Sequence, residues 1–429
     1  MGPVGKKMPD TGTGSSEWNI ASVLQCRMKG HTMTDAPPHP APAKTPRMEG
    51  IDALRGLVMV IMALDHSRDF FSNSHAYFDP IDVHATSAAF FLTRWITDFC
   101  APVFSFLAGI GVYISMSRGK PIVQVSKTLF TRGLWLIFLE LVILRVFWYF
   151  NFDYTFLKAG VIWCLGWSMI FLAVMIFLPF RIILFTGLLL ILPHNLLDGI
   201  RPESFGGFSW LWMILHVKGT FAIGESVKFL VVYPLIPWLG LMATGFCFGR
   251  IMLLEREQRR RIVFLLGLGL TTGFIFLRGS NFYGDPVPWT IQKSGLFTLF
   301  NIRACETYPP SVSYLLVTMG PAFMLLSALD RPLSALMKPF VTFGRVPFLY
   351  YMLHLPLLHA MAVPVALYRW GKADWLFANP PDQNWPHEFH LDLFLTYAAW
   401  LLATLMLYPL CRRFAHVKST RKDWWLSYL

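Results

Sequence analysis

Apolar and polar positions along this chain are segregated into long blocks. From Met48 onward, ten apolar stretches alternate with polar loops, at roughly 50–71, 88–116, 127–150, 159–179, 181–197, 228–251, 262–279, 311–329, 337–366 and 391–411. Most reach the ~20 residues that a helix needs to cross a hydrocarbon layer of ~30 Å. Within such a layer only helices and closed barrels satisfy their own backbone. The pattern therefore predicts an all-α polytopic bundle of about ten transmembrane helices. The 181–197 stretch is short and bounded by Arg181 and Asp198. Between 206 and 226, the run Trp-Leu-Trp-Met-Ile-Leu-His from Trp210 predicts an interfacial helix. Residues 1–47 are rich in Gly, Ser, Pro and Thr and predict a disordered cytoplasmic tail. Residues 48–429 then form one membrane domain.

Composition agrees with the block pattern. The chain has 429 residues, of which 55% are hydrophobic and only 14% charged, with a mean hydropathy of +0.49. Soluble domains carry about 25% charged residues. Its 16 Trp residues suit rings at membrane–water interfaces. The six cysteines (Cys26, Cys100, Cys164, Cys247, Cys305 and Cys411) show no CxxC pairing and sit mostly in apolar runs. They read as buried thiols acting as small hydrophobes, with no metal site implied.

The formal charge of +12 would suit nucleic acid, but its distribution argues against that. No zinc-finger or RNP-type spacing occurs, and the cations cluster in alternate loops. With ten spans and the N-terminus inside, the cytoplasmic loops hold Arg118, Lys120, Lys127 and Arg181. The Arg256–Arg261 cluster, Arg331, Lys338 and a basic tail from Arg412 lie on the same side. The other loops are longer and mixed in sign. This is the bias of a membrane protein with both termini in the cytoplasm.

Ionisable residues inside spans are costly and tend to face wet cavities. The first span carries Asp52, Arg55, Asp65, His66, Arg68 and Asp69. Arg55 and His66 are eleven residues apart, about 16 Å along a helix and within about 20° of the same face. That face carries a cation near the cytosol and an imidazole flanked by carboxylates near the outside. A carboxylate beside a histidine orients its ring and raises its basicity. Asp52, Arg68 and Asp69 also suit simple helix ends, with Arg55 snorkelling. The second span adds Arg94 and Asp98, one turn apart, which can pair with each other or line the same cavity. The ninth adds Arg345 near the cytosol and His354 at a depth like that of His66, with Tyr350 one turn away and His359 beyond. Glu140, in the third span, reads as a partner for a helix-buried cation.

These residues also carry a resemblance. Ile-Asp-Ala-Leu-Arg-Gly at 51–56 and Leu-Asp-His at 64–66 give Arg-x10-His, which resembles the opening helix of the transmembrane acyltransferase superfamily. The longer patterns at 65–71, 93–109, 344–354 (Gly-Arg-Val-Pro-Phe-Leu-Tyr-Tyr-Met-Leu-His) and 424–429 are more specific. Together, over 48–429, they are similar to bacterial members of the heparan-alpha-glucosaminide N-acetyltransferase catalytic-domain family. The resemblance implies transfer of an acyl group, usually acetyl, across the inner (plasma) membrane, from cytosolic acetyl-CoA to an extracytoplasmic sugar or glycan. It implies no metal, and it admits a homodimer. In this light Arg55 and Arg345 hold CoA phosphates, and His66 is general base or acyl carrier, oriented by Asp65 or Asp69. Arg68, Arg94, Asp98 and His354 are expected to contact substrate. The animal lysosomal enzyme departs from this pattern, with Asn where Arg-x10-His has its His and a proposed catalytic His in the following loop. That logic points instead to His75 or His84. A transporter or flippase using the same Asp, His and Arg cavity is the competing reading, although no repeat-related broken helices are visible.

Overall fold

A computed structural model describes residues 2, 48–72, 79–386, 393–421 and 423–427. By its contacts the chain divides into Met1–Thr45 and Pro46–Leu429, and the second unit carries the apolar stretches. His75, Cys26 and the expected tail up to residue 47, Gly2 apart, lie outside the described residues.

The second unit is mostly helical. In chain order it contains α1 (Glu49–Phe71), α2 (Ala88–Thr97), α3 (Cys100–Ser117), α4 (Ile122–Phe138), α5 (Arg145–Tyr149), α6 (Val161–Met175) and α7 (Phe180–Ile191). Then come α8 (Ser209–Leu215), α9 (Leu235–Phe248), α10 (Arg256–Ser280), α11 (Gly295–Arg303) and α12 (Val312–Leu329). The last are α13 (Lys338–Arg345), α14 (Pro347–Trp370) and α15 (Leu393–Thr420). Helices occupy all ten apolar stretches. Among the described residues, six helical stretches are long and apolar enough to cross a membrane: Ala88–Ser117, Leu235–Leu253, α10, α12, α14 and α15. The expected count of about ten includes helices that fall short of those limits for identifiable reasons. Helix α1 carries Glu49, Asp52, Arg55, Asp65, Arg68 and Asp69. Helices α6 and α7 are short. A π-helical turn, Leu139–Leu144, interrupts the stretch between α4 and α5.

Two details differ from the sequence reading. Residues 228–231, assigned there to the start of a span, belong to a β-strand. With β1 (Phe156–Ala159) and β2 (Gly219–Ile223), this β3 (Val227–Val231) forms a small sheet in the order β1-β3-β2. Strand β1 runs parallel to β3, and β2 antiparallel to it. The β-branched and aromatic content of Val-Lys-Phe-Leu-Val and Gly-Thr-Phe-Ala-Ile suits strands. Their hydropathy alone cannot distinguish them from a helix end. The expected interfacial helix shrinks to α8, preceded by a 3-10 segment and closely followed by β2.

Where the helices cross, glycine sits at the crossing. Five helix pairs pack most closely: α1/α13, α3/α9, α4/α6, α7/α9 and α10/α12. At each, a glycine of one helix lies against the backbone of the other, namely Gly56/Gly344, Gly109/Gly245, Gly133/Gly166, Gly187/Gly240 and Gly267/Gly320. Lipid tails give helices no hydrophobic reason to associate, so close backbone approach through small residues supplies van der Waals contact instead. The α1/α13 crossing is the tightest. A Cβ on Gly56 would fall 1.7 Å from the Phe340 carbonyl oxygen, and one on Gly344 1.8 Å from that of Asp52. The Arg55 guanidinium also donates to the Gly344 carbonyl at 3.2 Å.

One end of the bundle is basic. It gathers the start of α1, where Gly50 abuts the Leu329 carbonyl, and the start of α10. There the Arg259 guanidinium grips Asp330 at 2.7 and 2.9 Å and caps the Met252 and Leu254 carbonyls. At the other end, Arg145 donates to the backbone carbonyls of Phe156, Asn151 and Asp153 and to the Asn379 side chain. That fastens the loop after α14 to β1. Arg145 thus serves the loops, and Glu140 is not its partner.

Replacing Gly344 by Ala must push α13 off α1, and overpacking of this kind costs about 1–3 kcal/mol or more. Gly269 in α10 faces open space, so Gly269→Ala should be neutral or slightly stabilising, glycine being about 1 kcal/mol poorer than alanine within a helix. Thermal unfolding of the two variants in detergent checks this. Equal midpoints would refute the crossing as a stability element.

Candidate active site

Helix α1 runs from the basic end toward the sheet, and its polar residues open onto three consecutive cavities. The first, about 420 Å³, lies at the basic end and is lined by Arg55, Lys120, Arg132, Arg345 and Lys418. Its described lining includes no carboxylate. Beside it lies a neck of only about 50 Å³, which shares Phe104, Ile162 and Leu165 with the basic cavity. The neck in turn shares Asp65, His66, Arg94, Tyr233, Tyr308 and Tyr351 with a wider cavity of about 520 Å³. That wide cavity carries Asp69, Arg68, Glu140 and Lys158 with the rings of Trp148 and Trp385. Strand β1 delivers Lys158 to it, and the Lys158 ammonium sits 4.2 Å from the Trp148 ring. Arg55 and His66, expected on one face, thus belong to successive cavities on the same helix.

His66 stands at the junction of neck and wide cavity. Its Nδ1 lies 2.6 Å from Nε2 of His354 on α14. The ring planes differ by 9° and the centroids are 4.9 Å apart, close to the bond length plus two ring radii. This is an in-plane hydrogen bond and not a face-to-face stack. Trp148 and Tyr351 meet the His66 ring edge-on, at 5.1 and 5.9 Å. The other nitrogen of His66, Nε2, has no hydrogen-bond partner among the described residues. His354 is fully buried and lines none of these three cavities, so it lies behind His66 and away from any substrate they would hold.

Asp65 does not take the place expected of it, whereas Asp98 pairs with Arg94 as their one-turn spacing suggested. Asp65 accepts from Arg68 at 2.7 Å and from the Thr97 hydroxyl at 2.9 Å, and Arg94 lies 3.6 Å away. It is not hydrogen-bonded to His66; that bond goes to His354. Asp69 faces the wide cavity. Asp98 bridges Arg94 and Arg303, each at 3.2 Å, while the Tyr314 hydroxyl donates to its backbone carbonyl at 2.7 Å. The site therefore rests on a ladder of alternating charge, buried except at Asp65, which faces the cavities: Arg68, Asp65, Arg94, Asp98 and Arg303. Removing one member of such a ladder leaves an uncompensated buried charge, at about 3–5 kcal/mol. Tyr308 also lines neck and wide cavity, and burial raises its hydroxyl pKa, keeping it a neutral donor.

Glu140 sits in the π-helical turn, a local geometry frequent at functional sites. Its carboxylate accepts from the backbone N–H of Ile162 at 3.1 Å, at the start of α6. A negative group there complements the positive end of the helix. Its partner is thus a helix terminus and not the side-chain cation expected from the sequence. Arg345 reaches Glu49 at 3.4 Å, and Arg55 reaches Asp52 at 3.3 Å. His359 bonds the Phe147 carbonyl and stacks on Phe150, a packing role. His84 is exposed, lies in the loop after α1, and lines none of the three cavities.

Sequence reasoning missed Arg303, Tyr308, Tyr314 and Lys158 as site residues. Arg303 and Tyr308 lie in 280–310, read as an outer loop, where α11 folds back onto α2. The signal available was Arg303 itself, a cation in a chain whose second span carries the acid Asp98. The five cysteines among the described residues are buried and free, as read from the sequence. Among the described residues no group of three or more His, Cys, Asp or Glu side chains is arranged to hold a metal ion.

A family model described as Heparan-alpha-glucosaminide N-acetyltransferase, catalytic, matches residues 47–279, just over half of the chain and the part that carries α1, Glu140 and β1. No curated protein matches the chain. The family match covers the Arg55 to His66 helix and both walls of the neck formed by α3 and α6, and the chain therefore belongs to the heparan-alpha-glucosaminide N-acetyltransferase catalytic-domain family.

Proposed function

We propose that the protein transfers an acetyl group from acetyl-CoA, entering the basic cavity, to a sugar or glycan hydroxyl or amine in the wide cavity. The observation that carries this reading is the succession of two wide cavities with a small one between them, which shares lining residues with each and has His66 where it meets the second. Five cations with no lining carboxylate suit a ligand bearing several phosphates. An extended pantetheine arm, threaded past Phe104, Ile162 and Leu165, would bring a thioester to the neck. Aromatic faces with a few polar groups, as offered by Trp148, Trp385 and Lys158, suit a sugar ring.

The chemistry assigned to His66 balances without a further reagent. Its free nitrogen takes the proton from the acceptor hydroxyl or amine as that atom attacks the thioester carbonyl. The C–S bond breaks, and the imidazolium returns the proton to the departing thiolate, releasing CoA as the thiol. The acceptor oxygen or nitrogen keeps the acetyl group. Arg94 and Tyr308, at the same junction, are placed to stabilise the developing oxyanion. In the cell, the basic cavity faces the cytoplasm, in keeping with the positive-inside bias.

Two experiments test this reading. His66→Ala should lower acetyl transfer by roughly 10²–10⁴-fold, the span of general acid–base catalysis, with the KM for acetyl-CoA little changed. Transfer by this variant at the wild-type rate would refute the assignment. Lys120→Glu and Arg345→Glu should each raise the KM for acetyl-CoA by about 10–100-fold, the equivalent of losing one charge-assisted contact of ~1.5–3 kcal/mol. The KM for the acceptor should stay constant. A change confined to the acceptor would reverse the two cavities.

A further inference from the structure

The geometry points to His354 as a positioning residue that fixes the tautomer of His66, an inference that rests on the acyl-transfer reading only for its catalytic consequence. Nδ1 of His354 lies 2.9 Å from the carbonyl oxygen of Tyr350, one turn back on α14. A carbonyl oxygen only accepts, so Nδ1 of His354 carries the proton. In the neutral ring Nε2 is then an acceptor. Its neighbour at 2.6 Å, Nδ1 of His66, must therefore be the donor. With its proton held there, His66 keeps Nε2 as a bare lone pair, and that is the nitrogen without a partner among the described residues. A backbone carbonyl thus dictates, through two imidazoles, which nitrogen of His66 is the base.

This arrangement does for His66 what a carboxylate does elsewhere, without adding a charge beside the neck. The carboxylates of the neck are unavailable for it. Asp65 is held by Arg68 and Thr97, and Asp98 by Arg94 and Arg303. His354 is fully buried and lines neither the neck nor the wide cavity, so its role reaches the substrate only through His66.

The test compares His354→Gln with His354→Met, alongside histidine-selective 15N NMR of the full chain in lipid nanodiscs. Signals are assigned by their loss in His66→Gln and His354→Gln. In wild type, His66 should carry its proton on Nδ1, with a coupling across the bond to Nε2 of His354. His354→Gln leaves an amide oxygen near the lost Nε2 and should keep that tautomer, with transfer within about tenfold of wild type. His354→Met removes the acceptor, so the His66 proton should redistribute and kcat fall by roughly 10²-fold, with the KM for acetyl-CoA unchanged. Finding the His66 proton on Nε2 in wild type, or a doubly protonated His354, would overturn the inference. So would equal activity of the Gln and Met variants. A wild type inert toward acetyl-CoA would count against acyl transfer itself, while the tautomer, read directly, still decides the pairing. Failure of the Met variant to fold would not affect the wild-type reading of the tautomer.

Discussion

The contact on which the site depends is the crossing of α1 with α13 at Gly56 and Gly344. Neither position has room for a single added carbon, because each glycine lies against a carbonyl oxygen of the other helix. From that crossing, His66 lies ten residues along α1 and His354 ten residues along the α13–α14 segment. The two helices run in the same direction, and equal spacing keeps the imidazoles level, about 15 Å beyond the crossing. The 2.6 Å bond between them follows from backbone contact set earlier along α1 and the α13–α14 segment. The short break at Val346 lets α14 start afresh at Pro347, whose missing N–H is no loss in a first turn.

The same logic accounts for the charge buried around the neck. An Arg or Asp inside a membrane is tolerated when it faces a wet cavity or an opposite charge. Here Arg68, Asp65, Arg94, Asp98 and Arg303 alternate in sign, so each cation lies near an acid. Helix α11, though too short to span, is needed to supply the last rung. The ladder holds α1, α2 and α11 together and leaves His66 at the junction of the cavities, bonded to His354 and not to a carboxylate. The basic cavity differs in kind: it gathers cations from α1, α4, α13 and α15 and from the loop before α4, without a lining acid among the described residues. Under the proposed function this cavity receives the phosphates of acetyl-CoA.

Much of this was legible in the sequence. The helical bundle, the extent of α1, the polar face bearing Arg55 and His66, and the resemblance to the family all follow from block hydropathy and a few short patterns. Lys120 and Lys418 were visible as loop cations, but only folding brings them to one cavity with Arg132. The sheet was not legible, since Val-Lys-Phe-Leu-Val reads as readily into a span. The partner of His66 was misjudged because neighbours along one helix, Asp65 and Asp69, are visible in sequence, whereas His354 is 288 residues away. Register between separate helices depends on glycine crossings whose partners no single sequence reveals. Arg303 was overlooked for the same reason, lying in a segment read as loop.

The central claim is that one path, narrowed at His66, joins a donor cavity at the basic end to an acceptor cavity at the other. The most direct test is sidedness in proteoliposomes of uniform orientation. Acetyl-CoA is supplied on one face and an impermeant amino sugar or oligosaccharide on the other, and the acetylated product is measured. The account predicts product only when acetyl-CoA meets the basic end and the acceptor meets the opposite face. Product formed with both substrates on a single face, or gradient-driven uptake of substrate without acetylation, would contradict it.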